Sequence, residues 1–385
     1  MRIFVLGAGA TGGFLARLLE RQGHTVWCGD RDPERARRFL YPALPCQAVN
    51  ARNLWGIVRA GRSCHLLVNA VPAAYNQTVL RAALRLRAHY LDMATHLGRY
   101  PFKAEQLRFE RKFRAKRRVA LVNAGVAPGL TNLLVKRAAE LCDTVDQAYI
   151  RLYENTKSED PVSTWSAETA FDEAISRPRV YHQGRFRLAR RFSEPEWFHF
   201  PPPIGRTRVV LAAQDEVGTI PHFIPLREMD VKIGGNEIDR LRRWYRQGKL
   251  RPSAGLVSKR FPQTPTPRQV ARLLRRGRLS NARFAAAVVV RGRKAGQPLE
   301  IRGVCTFPTL HQIRLKGIHT TPIAYATAHT AALFIKHFPR DLWGVHPPEA
   351  LPVEVRRAVV ADLKQQGFRL TTQVRRLKKV EEEEF

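Results

Sequence analysis

Short apolar runs alternate with helically spaced apolar positions over the first 140 residues. Ile3-Phe4-Val5-Leu6 is long enough for a buried strand. Phe14, Leu15, Leu18 and Leu19 then recur at helical spacing up to Gly23, which can end a helix. Thr25 to Cys28 reads as a second strand and Pro33 to Leu40 as a short helix with proline in its first turn. Strands are predicted again at His65 to Ala70, His89 to Asp92 and Val119 to Asn123. Helices are predicted at Gln77 to Leu86, Glu105 to Arg117 and Leu130 to Leu141. This alternation predicts an α/β domain built on a doubly wound parallel sheet.

From about Val145 the period changes. Gln147 to Tyr153 alternates like a strand with one wet face. β-like runs follow at Arg179 to His182, Arg208 to Ala212, and Ala287 to Val290 with Leu299 to Val304, the last two joined through Arg291 to Gly296. An antiparallel α+β second domain follows from that pattern. Thr321 to Phe338 is a strongly apolar helix expected to pack back on the first domain. Leu241 to Thr266 is Arg- and Pro-rich and reads as a helix-loop. The chain closes on Glu381 to Glu384, a solvated acidic tail. The expected division is 1–135, 136–315, 316–345 for the returning helix, and 346–385 for a C-terminal segment with that tail.

The chemistry is concentrated at the N-terminus. The first strand runs into Gly7-Ala8-Gly9-Ala10-Thr11-Gly12, a helix follows, and Asp30 stands just past the end of the second strand. Strand, Gly-x-Gly-x-x-Gly, helix, strand and acid is the order a dinucleotide site requires. The first glycine makes the turn, the second admits a pyrophosphate, and the third packs helix on strand. The helix N-terminus then offers free amides to the phosphates. Asp30 suits the adenosine ribose hydroxyls of NAD, whereas Arg31 would attract the 2′-phosphate of NADP, so both cofactors remain open.

Composition narrows the class. Hydrophobic residues make up 44% of 385, enough for two cores, and no apolar run is long enough to cross a bilayer. Only four apolar residues follow Met1-Arg2 before the first glycine, so no signal peptide is expected. The five cysteines are scattered and never in a C-x-x-C pair, which argues against disulfides and a metal site and suits a cytoplasmic protein. Lys and Arg number 66 against 33 acids, a net charge of +33. The basic residues are spread along the whole chain and carry no RNA-stacking or zinc-finger pattern. They predict attraction for anionic substrates and non-specific polyanion binding rather than a dedicated nucleic-acid fold.

The glycine motif, Val68 to Pro72 with Tyr75-Asn76, Tyr90 to Ala94, and Ala127 to Asn132 together resemble the saccharopine dehydrogenase-like family of nicotinamide enzymes. Weaker echoes follow at Gly184, Pro201 to Gly205, Glu216 with Thr219 to Pro221, and Gly344-Val345 with Pro347 to Glu349. The resemblance implies a Rossmann domain, an inserted α+β substrate and dimerisation domain, and a homodimer. It also implies NAD(P)-dependent hydride transfer at a C–N bond of an amino acid or carboxylated amine, within amino-acid metabolism. A non-catalytic NAD(P)-binding regulator and a nucleic-acid-binding protein on a Rossmann scaffold are the alternatives from other classes.

In such chemistry the protein supplies position and charge. The candidate cofactor residues are Gly7 to Gly12, Asp30, Arg31, Asn69, Ala70, Val71, Pro72 and Asn123. Asp92, at a strand end, would stabilise an iminium cation, and His96 would relay a proton. The competing readings are a helix cap for Asp92, a surface position for His96 and turn roles for the two asparagines. Thr164, Trp165 and Glu168 stand around a helix start that suits a substrate carboxylate or is simply capped. Arg179 would grip a carboxylate or is one arginine among many.

Overall fold

A computed structural model of the protein describes residues 1–40, 44–96, 101–159, 162–163, 166–249 and 264–377. Among the described residues the predicted parallel sheet holds seven strands. These are β1 Arg2–Leu6, β2 Thr25–Asp30, β3 Cys46–Ala48, β4 Leu66–Asn69, β5 His89–Asp92, β6 Val119–Leu121 and, from far along the chain, β15 Gly344–His346. Their order is β15-β6-β5-β4-β1-β2-β3, every pairing parallel. Helices Ala10–Arg21 and Asn76–Leu86 are among those covering its faces, and strands such as β4 are buried along their length and can be apolar throughout.

The second sheet is built from β7 Thr144–Ser158, β8 Arg179–His182, β9 Arg185–Leu188, β10 Glu196–His199, β11 Arg206–Leu211, β12 Glu228–Gly234, β13 Leu279–Lys294, β14 Gln297–Thr306 and β16 Arg369–Arg376. Its main order is β10-β11-β12-β7-β13-β14-β16, with the β8–β9 hairpin attached to β12. The sheet is mixed rather than wholly antiparallel, because β12 pairs with β7 in parallel. Between them the chain makes a helix, Ala167–Ile175, a hairpin and two more strands, and it re-enters beside β7 running the same way. The β13–β14 connection is tighter than Arg291 to Gly296. The strands pair up to Lys294 and Gln297, leaving Ala295 and Gly296, both at positive φ, as a two-residue turn.

The apolar helix is Pro322–Lys336, capped by the Thr321 side chain accepting from Ala324 N. It returns to the first domain, stacking Tyr325 on Phe14 of helix Ala10–Arg21 with ring centres 5.8 Å apart. One apolar cluster runs from Ile3 and Leu15 through Leu133 to Val288 and Tyr325, so the two sheets share a core. The C-terminal segment does more than trail off: helix Val353–Leu363 is followed by β16, which completes an edge of the second sheet against β14. Glu381 to Glu384 lie outside the described residues.

Candidate active site

Gly7 turns the chain out of β1 at φ +96°, and a Cβ there would stand 2.6 Å from the Ala70 carbonyl oxygen. At Gly12 a Cβ would stand 1.9 Å from the Gly7 oxygen, so helix Ala10–Arg21 lies directly on the strand end. Gly9 is different: a Cβ there meets nothing within 4 Å, because this side of the bend opens on a cavity of about 630 Å³. The helix begins at Gly9 with no side chain bonded to its first amides. Free N–H groups, the positive end of the helix and an open face form a cradle that fits a pyrophosphate. The volume suits a nucleotide-sized ligand.

Beside the glycine bend, Asp30 Oδ2 accepts from Ala8 N at 2.8 Å and Oδ1 from Asp32 N at 3.0 Å. Its carboxylate therefore braces the glycine bend. Arg31, Arg35 and Arg52 line the same cleft.

The cleft continues inward. Thr11, Ala70, Val71 and Ser166 line both it and a second chamber of about 150 Å³ between the two sheets. Behind the chamber runs a buried hydrogen-bonded chain. Asn69 Nδ2 donates to Asn76 Oδ1 at 2.8 Å and to the Tyr90 hydroxyl at 2.9 Å. Tyr90 donates to Asp92 Oδ2 at 2.9 Å, which also accepts from Gln106 Nε2 at 3.2 Å. Asp92 Oδ1 accepts from Asn123 N at 2.8 Å. Asp92 is 1% exposed, and burial pushes its carboxyl up to about 7 against the pull of those donors.

Three more carboxyl groups line the chamber: Glu154 from β7, Glu173 from helix Ala167–Ile175, and Asp215 after β11. Burial, reinforced by Asp215 and Glu154, holds Glu173 well above the usual carboxylate range. Burial lifts Asp215 to about 6 although Arg179 draws it down. No basic residue lines the chamber among the described residues.

Every residue from Gly7 to Gly12, with Asp30, Arg31, Ala70, Val71 and Pro72, lines the cleft, while Asn69 and Asp92 line the chamber. Asn69 is committed to the chain behind it. Asp92 caps no helix, since residues 93–96 are not helical. Asn123, His96 and Arg179 line neither cavity. Asn123 is buried at φ +59° and accepts from Thr95 Oγ1 at 2.6 Å. The Arg179 guanidinium is buried within reach of the charges of Asp215 and Glu173. Thr164 and Trp165 lie outside the described residues. Glu168 falls in the first turn of a helix whose N-cap is Ser166, accepting from Thr169 N at 3.3 Å.

A glycine bend under an open nucleotide-sized cleft, joined to an inner chamber, defines an NAD(P)-binding dehydrogenase-type fold. Residues 3–126 match the family model described as the saccharopine dehydrogenase NADP binding domain. The first domain is similar to that NADP-binding domain, and its cofactor is NAD or NADP. Over the whole chain the fold is similar to that of apo saccharopine dehydrogenase (L-Glu forming) from Saccharomyces cerevisiae. The TM-score is 0.71 at 10% identity, covering 97% of this chain and 99% of that one. DAP dehydrogenase of C. glutamicum, solved with DAP, matches more loosely, with a TM-score of 0.46 at 11% identity over 95% of this chain and 98% of that one. No helix among the described residues is long and apolar enough to cross a membrane.

Proposed function

We propose that the protein is an NAD(P)-dependent oxidoreductase acting at the C–N bond of an amine or amino acid. The observation that carries this reading is the continuity of the cofactor cleft with a carboxyl-lined chamber. Bound nicotinamide supplies or takes the hydride. The chain's own residues hold the cofactor over the glycine bend, enclose the substrate between the sheets, and surround a nitrogen that is cationic as an ammonium or iminium. In this reading Asp92, whose carboxyl is poised near neutrality, holds or releases a proton at the chamber wall. His96 and Asn123 receive no direct role. The test is nicotinamide absorbance at near-ultraviolet wavelengths with a panel of amines and amino acids in one direction, and keto acids with ammonia in the other. Cofactor binding with no turnover of any pair would leave the regulatory alternative standing.

Within this reading the cofactor is NADP. Both Asp30 oxygens already carry backbone N–H groups, and Arg31, Arg35 and Arg52 line the same cleft, which supports a ligand with a 2′-phosphate. A hydrogen bond to a charged group contributes about 1.5–3 kcal/mol. Arg52→Ala combined with Arg31→Ala should therefore weaken NADPH by at least tenfold while changing NADH by no more than about twofold. Fluorescence titration of each reduced nucleotide measures this, and an equal loss for both would refute it.

A second surface favours a polyanion. Arg81, Arg85, Arg87, Lys112 and Lys116 line an open groove of about 570 Å³ that no carboxylate lines among the described residues. Trp55, 58% exposed, lies under the Arg85 guanidinium at 4.5 Å. Single-stranded DNA should bind at about 50 mM salt and be largely released by about 200 mM, as counterion release requires. Salt-independent binding would contradict this.

A further inference from the structure

We propose that the inner chamber selects a short aliphatic diamine, held as a cation between Glu173 and Asp215, in preference to an α-amino acid held by its carboxylate. The inference rests on the oxidoreductase reading above and names the substrate class of that site.

Charge carries it first. The chain has twice as many basic as acidic residues, 66 to 33. Yet Asp92, Glu154, Glu173 and Asp215 all line the chamber, and no Lys, Arg or His does so among the described residues. Arg179 stands outside the lining, and the charges of Asp215 and Glu173 already act on it. A substrate carboxylate would thus enter against four carboxyl groups, with no guanidinium free of them to meet it.

Unused acceptors carry it further. Glu173 Oε2 accepts from Gln214 Nε2 at 2.8 Å, and Asp215 Oδ2 accepts from Thr95 N at 3.0 Å. Glu173 Oε1 and Asp215 Oδ1 have no hydrogen-bond partner among the described residues, and both side chains keep part of their surface open. An ammonium brings three donors and a positive charge, the complement of such a pair. Size agrees. A chamber of about 150 Å³ admits a short chain of several non-hydrogen atoms. Apolar atoms of Val126, Leu152, Phe284 and Ile323 also line the chamber and suit a methylene chain. The raised Glu173 and Asp215 carboxyl groups are what such a site shows without its cation, so binding should release protons.

The test is calorimetric titration of the NADP⁺-loaded full-length protein at pH 6.5 with butane-1,4-diamine, 1-aminobutane, lysine and glutamate, in two buffers of different ionisation enthalpy. Nicotinamide reduction is followed with each compound in parallel. The diamine should bind at least tenfold more tightly than 1-aminobutane or glutamate, with net proton release, and should be oxidised. Glu173→Gln and Asp215→Asn should each raise the diamine KM by about tenfold or more with a smaller change in kcat. Turnover of glutamate or lysine with no measurable diamine binding would overturn the diamine assignment and leave the oxidoreductase reading intact. Failure of every compound to reduce bound NADP⁺ would instead overturn the parent reading and this inference with it. Because the wild-type titration stands alone, misfolding of either variant would not rescue the proposal.

Discussion

Gly9→Val should leave the protein folded and unable to bind its cofactor. The backbone at Gly9 sits at φ −76°, ψ −159°, which any residue adopts, and a Cβ there touches no protein atom within 4 Å. The fold therefore makes no demand for glycine at this position, and the expected change in Tm is no more than about 2 °C. The added branched side chain would instead fill the open side of the bend, where a pyrophosphate must come within hydrogen-bond distance of the first helical amides. Dissociation constants for NADH and NADPH should rise by about 100-fold or more, roughly 2.7 kcal/mol. Gly12→Val is the contrast. Its Cβ would lie 1.9 Å from the Gly7 oxygen and 2.8 Å from the Ala70 Cβ, neither of which is a flexible side-chain end. That variant should lose several degrees of Tm or fail to accumulate as folded protein. Unimpaired nucleotide binding by Gly9→Val would show that the phosphates lie elsewhere.

The difference between those two glycines also marks what could be read from the sequence. The glycine bend, its helix and Asp30 are contiguous, so local order alone specified them, and the cleft assembles around them. The inner chamber is contributed by β5, β7, a helix of the second domain and the loop after β11. Glu154, Glu173 and Asp215 were invisible as a group because no local spacing unites them, and a chain averaging +33 hides one acidic pocket. Asp92 was legible because it ends a strand at the crevice, and its hydrogen-bonding partners were not. β16 was missed for a similar reason. In Arg369–Arg376 only Leu370 and Val374 are apolar, and the strand exists because β14 offers it an edge. The scattered echoes of the family had a physical content that their spacing did not disclose. Thr131 donates to Glu216 at 2.9 Å, and Asn132 Nδ2 donates to Thr219 Oγ1 at 3.0 Å and to both Glu349 oxygens at 3.1 Å. Residues more than 80 positions apart form one buried knot.

That knot makes stability depend on pH in an unusual direction. Glu216 is 0% and Glu349 1% exposed, and burial pushes each carboxyl up to about 7, Asp215 and Glu349 adding to the shift of Glu216. In the unfolded chain both would titrate near the ordinary glutamate value of about 4.3. Between about pH 4.5 and 7 the folded protein thus holds more protons than the unfolded one, and its stability falls as pH rises through that window. Below it the contribution is fully present, and above about 7 it is lost. Each group alone would shift stability by about 4 kcal/mol, and coupling between them makes the pair worth less than twice that. The expected result is a Tm several degrees higher at pH 5.5 than at pH 8. Below about pH 4, protonation of ordinary paired acids such as Glu140, held down by Arg356, reverses the trend. Glu349→Gln keeps a neutral acceptor for Asn132 and removes one ionisation. It should raise the Tm at pH 8 and shrink the difference between the two pH values, with Asp92, Glu173 and Asp215 supplying part of the slope that remains. A wild-type Tm that rises from pH 5.5 to 8, or a Glu349→Gln profile parallel to the wild type, would mean that the buried glutamates are not what sets the slope.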